Sequence, residues 1–199
     1  MLDAIILDQT MQKNILIFFS LIVTSFSGQA QPPYQIKSCK IVIEFSTGFA
    51  RGTKTIIFSD SGKIEKQLGT IYFDTSAMSR ISKEFKSNKT IAHTLGIQTK
   101  DSVFSIDLDA RSGTRRSRIN LDWLPKTNSE EKKIGENTLL GRKCTITNFG
   151  PVKIWYWKGL ALKKETPAFI KVYEYASLID ENYIIKDDEF AIPKDIKWQ

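Results

Sequence analysis

Two carboxylates two residues apart, Asp107 and Asp109 in "DSVFSIDLDARSGT", would stand about 6.5–7 Å apart on one face of a strand. Inverting glycosidases hold their acid and base about 6.5–9.5 Å apart, so the spacing suits hydrolytic chemistry. Phe104, Ile106 and Leu108 alternate with them, and a solvated face opposite an apolar one is the simpler account. His93, in "IAHTLG", is the one histidine of the chain. A single imidazole makes no metal site, and no cysteine pair with ligand spacing supports it. No G-x-S-x-G occurs, so no nucleophile sits in the strained turn that serine chemistry requires. The acidic run "KDDEF" (186–190) reads as exposed charge. The sequence therefore predicts no enzyme, no metal and no cofactor.

Four arginines, Arg111, Arg115, Arg116 and Arg118, crowd around one turn. Guanidinium groups suit bidentate contact with phosphate or carboxylate, so an anionic headgroup is the functional reading. A solubilising turn is the plainer one. The two cysteines, Cys39 and Cys144, both fall in strand-like segments. In an oxidising compartment they could close a long loop as a disulfide, or remain two separately buried thiols.

That compartment is suggested by the first thirty residues. "MQKNILIFFSLIVTSFSGQAQ" has one cation, Lys13, then an apolar run from Ile15 to about Val23, then Gly28 and Ala30 at the positions of a cleavage site. The run is too short for a membrane span of about 20 residues. A signal peptide over 1–30 is expected, with translation starting at Met11, because Asp3 and Asp8 have the wrong sign for a leader. Residues 31–199 then form one exported domain, periplasmic or secreted, without a transmembrane span. Losing Lys13, Asp3 and Asp8 raises the net charge from +7 to +8. Outside the cytosol such a charge meets anionic lipid or glycan rather than nucleic acid.

The elements that would position these residues are short strands. "CKIVIEFS" points Cys39, Ile41, Ile43 and Phe45 one way, and Lys40 and Glu44 the other. "GTKTIIFSDSGKIEKQ" reads as a hairpin turning at Ser61-Gly62, and "DSVFSIDLDARSGTRRSRI" as one turning at Ser112-Gly113. "RKCTITNFGPVKIWYWKGLALKKE" gives three strands broken at Gly150-Pro151 and Lys158-Gly159. "FIKVYEYASLI" is a further strand, and "EFAIPKDIKW" a terminal extended segment. Two stretches differ. "TSAMSRISKEFKSN" (75–88) fits either a helix with Met78, Ile81 and Phe85 on one face or an irregular strand. "NSEEKKIGEN" (128–137), with Ser129 as cap and Gly135 as stop, predicts one short helix. The expected fold class is mainly β (α+β): a single curved antiparallel sheet or half-barrel with one or two short helices.

In "IWYWKG" the alternation puts Trp155 and Trp157 on one face, and Ile154 and Tyr156 on the other. The rings either fill the core or line a covered hollow. At these residues the chain resembles a family of exported bacterial proteins of unknown function grouped with the LolA/LolB-like lipoprotein-carrier fold. The resemblance rests on "GTKTIIFSDSGKIE", "DSVFSIDLDARSGT", "LLGRKCTITNFGPVKIWYWKGLALKKE" and "FAIPKDIK". It implies a sheet half-wrapped around a helix or loop, with a hollow that in the wider group holds acyl chains. An acyl or lipid-like ligand would then lie against Ile41, Ile43, Phe45, Phe104, Ile106, Trp155 and Trp157. The alternative is an envelope structural or interaction protein with a solid core and a basic face for a partner protein.

Overall fold

In a β-strand successive side chains point to opposite sides, so one apolar face needs only every second residue. The segments with that alternation are strands in the computed structural model, which describes residues 34–74, 90–118, 132–166 and 171–199. They are β1 (Cys39–Ser46), β2 (Ala50–Ser59), β3 (Ile64–Phe73), β4 (Ile91–Gln98), β5 (Ser102–Asp107), β6 (Ser112–Ser117), β7 (Lys132–Leu139), β8 (Arg142–Phe149), β9 (Val152–Trp157), β10 (Leu160–Thr166), β11 (Val172–Asp180) and β12 (Lys197–Trp198). All join one open, curved sheet in the order β12-β6-β5-β4-β3-β2-β1-β11-β10-β9-β8-β7. Every pairing is antiparallel except β12 on β6. Helical structure among the described residues is limited to a 3-10 turn, Asp60–Gly62, at the β2–β3 hairpin and to Arg118 just after β6.

The short helix expected over 128–137 is not formed where the chain is described. Residues 132–137 belong to β7, which pairs with β8 and carries a register shift between Lys133 and Gly135. The glycine marks an irregular edge strand rather than a helix stop. Glu136 lies between Lys133 (3.0 Å) and Lys143 (2.6 Å), and such charge discourages further strands from pairing with this edge. Residues 75–88 and the leader lie outside the described residues. The β5–β6 turn also differs: it falls at Leu108–Arg111, and Ser112-Gly113 already belongs to β6.

Residues directly opposite in the registers share a face. Cys39, Ile41, Ile43 and Phe45 lie opposite Phe58, Ile56, Lys54 and Gly52 of β2. These in turn face Glu65, Gln67, Gly69 and Ile71 of β3, then Gln98, Gly96, Thr94 and Ala92 of β4. On this face, Cys39, Ile41, Ile43, Ile56 and Phe58 form the main core with Cys144, Trp155, Leu160, Leu162 and Ala176. A smaller cluster joins Phe45, Phe49, Ala50 and Ile71. Gly52 is required here, because a Cβ would collide with the Thr70 carbonyl oxygen and stand 2.9 Å from the Phe45 ring.

The second core is on the opposite face. Phe104 and Ile106 pair with Ile97 and Leu95, and the four pack against Leu108, Ile192 and Ile196. The chain from Tyr183 to Gln199 crosses this side as a strap. Trp198 meets the Phe104 ring edge-on at 5.7 Å, and Asp195 pairs with Arg111. Glu189 is buried, so "KDDEF" is not uniformly exposed: its carboxylate accepts hydrogen bonds from Tyr183 Oη (2.7 Å) and Lys66 Nζ (2.9 Å).

The Tyr183 hydrogen bond, with help from Lys66, holds the Glu189 carboxyl below its ordinary pKa. A depressed carboxylate pKa gives stability that is present above the unfolded value and lost as pH falls through the folded one. Glu189→Gln is expected to cost about 2 kcal/mol at neutral pH. The wild-type advantage should shrink as pH drops through the carboxylate range. Urea unfolding across that range checks this, and amide exchange over 183–199 localises it.

Candidate functional site

The seven residues expected to line one hollow do not share one surface. Ile41, Ile43 and Trp155 are packed into the main core, with Trp157 partly buried against it. Phe45 belongs to the smaller cluster on the same face. Phe104 and Ile106 are on the other side of the sheet beneath the strap, because the registers from β1 to β5 invert their parity.

The tryptophans are wrapped in cations. Lys163 Nζ lies 4.6 Å and Lys153 Nζ 5.9 Å from the Trp155 ring centre. Trp157 has the Arg142 guanidinium at 4.9 Å and Lys158 Nζ at 4.8 Å. Both of those cations pair with Glu181. Cation–π contact at a ring face is how this strand tolerates bulky aromatics beside charge.

Three of the arginines serve the fold. Arg111 pairs with Asp195, Arg115 donates to Ser102 Oγ and covers the Phe104 ring, and Arg118 donates to the Lys63 and Thr99 carbonyls. Arg116 is exposed. Asp107 accepts from the backbone N–H groups of Asp109 and Ala110, and Asp109 takes the His93 N–H and ring Nδ1. Their geometry is that of a braced turn. Cys39 and Cys144 are free thiols in one core, on β1 and β8, four strand intervals apart. Each donates weakly to a nearby carbonyl, and burial pushes Cys39 up to about 11. The disulfide considered from sequence is not formed. No group of three or more metal-ligating side chains comes together among the described residues.

What the sequence reading missed is a buried polar cleft on the Cys39 side. Period-two alternation carries Lys54 onto the same face as Ile56 and Phe58, and Glu174 lies opposite Phe45 on β11. Both are almost sealed, at 6% and 4% exposure, with Lys54 Nζ 3.8 Å from Glu174 Oε2. Phe45, Gln67, Gly69, Ile71 and Thr94 complete the walls of a cavity of about 20 Å³, room for one water-sized group. Glu174 Oε2 and Gln67 Oε1 are buried without a hydrogen-bond partner among the described residues. Lys164, opposite Glu174, has its ammonium disfavoured by burial, a shift that Glu174 opposes and Lys54 reinforces.

Behind Gln67 stands Glu65, which accepts from Gln67 Nε2 (2.5 Å) and Tyr34 Oη (3.0 Å). Burial raises its pKa despite both bonds and so favours the neutral acid.

No family model matches the chain, and no curated protein matches it in sequence. Among solved structures it is similar to an uncharacterised conserved protein from Thermus thermophilus. The TM-score is 0.53 and the identity 8%, over 82% of this chain and 90% of that one. What the two share is a fold. MucB is also similar, at a TM-score of 0.45 and 9% identity over 83% of this chain, which spans 60% of MucB's length. The neighbours are β-rich, and the LolA/LolB-like grouping itself rests on the sequence resemblance. No helix among the described residues is long and apolar enough to cross a membrane.

Proposed function

We propose that this is an exported, non-catalytic binding module for an amphiphilic ligand, seated at the Lys54–Glu174 cleft. One observation carries the reading: apolar walls, Phe45 and Ile71, meet a sealed ion pair whose carboxylate keeps one oxygen without a hydrogen bond. A buried charge with incomplete hydrogen bonding destabilises a fold unless something else completes it. A ligand's polar end completes it, and the apolar remainder lies against the cleft mouth. The acyl chain itself does not fit the 20 Å³ cavity, so the expectation of a tail buried among Ile41, Ile43 and Trp155 is replaced by head-first seating.

The rival is an envelope interaction protein with a solid core. The complete packing of Ile41, Ile43, Phe58 and Leu162 favours it. Native purification from its own envelope, followed by mass spectrometry of organic extracts, separates the two. The binding module carries an amphiphile in near-stoichiometric amount, and the solid-core protein carries none.

A further inference from the structure

The cleft's ligand class follows from its charges, and this step rests on the binding reading above. Lys54 and Glu174 sit together, with Lys164 beside them. An ammonium head would add a cation beside two lysines. A carboxylate head would set a second anion against the buried Glu174 carboxylate. Two acceptors, Glu174 Oε2 and Gln67 Oε1, still need a hydrogen. The Gln67 amide can also turn over, since a protonated Glu65 would donate to its oxygen and leave its nitrogen facing the cleft.

A hydroxyl completes the cleft with the Gln67 amide turned, because it donates once, to Glu174, and accepts twice, from Lys54 and the Gln67 nitrogen. It is also the size of the cavity. We propose that the cleft selects a neutral, hydroxyl-terminated amphiphile over acids and amines of the same chain length.

The test titrates the full exported domain with 1-O-dodecylglycerol, dodecanoate and dodecylammonium, each below its micelle-forming concentration, by calorimetry. Binding of the glycerol ether at least about tenfold tighter than either charged probe is expected, since hydrogen bonds to charged partners carry that much discrimination. Lys54→Met/Glu174→Leu, which leaves no lone charge, should abolish the preference while retaining weak apolar binding. Thr94→Val, a gentler change in the same wall, should reduce it severalfold. Equal affinity for all three probes, or a charged probe ahead, overturns the hydroxyl assignment and leaves the binding module standing. If none of the three binds, the cleft holds only solvent and both readings fall.

Discussion

Phe58→Ala should lower stability by about 3–5 kcal/mol, the cost of emptying a fully buried phenylalanine site that cannot collapse. Phe58 is 0% exposed and shares the main core with Cys39, Ile41, Ile43 and Cys144. Its ring meets Tyr34 at 4.4 Å between centroids, and Tyr34 is hydrogen-bonded to the buried Glu65. The β-sheet on both sides is held by continuous registers, Cys39 to Phe58 to Glu65, so the backbone has little freedom to close the void. The same change at Phe104, 8% exposed under the strap, should cost less, because strap residues 183–199 pair with the sheet mainly through short β12 and can shift inward. Urea denaturation of both variants gives the comparison. Equal losses would mean that the strap is as rigid as the sheet.

That contrast shows what local alternation carries and what it omits. Cys39, Ile41, Ile43 and Phe45 were legible as one buried face, and Phe104, Ile106 and Leu108 as another. Alternation reports parity within a strand, not which side of the sheet that parity serves. The side is fixed by registers through β2, β3 and β4, which are non-local. For the same reason Gly113 looked like a turn residue. Its actual constraint is a distant one: a Cβ there would stand 3.1 Å from the Trp198 ring and 2.9 Å from the Ser105 carbonyl oxygen. In 128–137, local cap and stop signals suggested a helix, yet from Lys132 onward pairing with β8 prevailed. Tertiary pairing overrides such weak local preference. The polar cleft did leave a trace. Lys54 occupies the apolar parity of "KTIIF", and Glu174 the inward parity of "VYEYA", each a charge at an inward position. Such a residue is informative because burial of a charge is costly unless it is paired.

Lys54→Met alone should therefore be among the most damaging substitutions, by about 3–5 kcal/mol, while Lys54→Met with Glu174→Leu should be neutral or stabilising by about 1–4 kcal/mol. The single variant strands Glu174, 4% exposed, with neither its cation nor a hydrogen bond to Oε2. Lys164 lies opposite Glu174 and favours its charge, while burial of Lys164 opposes its own, so its compensation is partial. The double variant removes both desolvation penalties and lets Phe45 and Ile71 extend their apolar contact across the cleft. Chemical unfolding of wild type, both single variants and the double closes the cycle and yields the coupling between the two sites. A double variant as unstable as the single would show that the pair is a structural keystone. A double variant at or above wild-type stability would show that the sheet keeps a charged pair it does not need for folding. The reason for keeping it must then be what the pair holds.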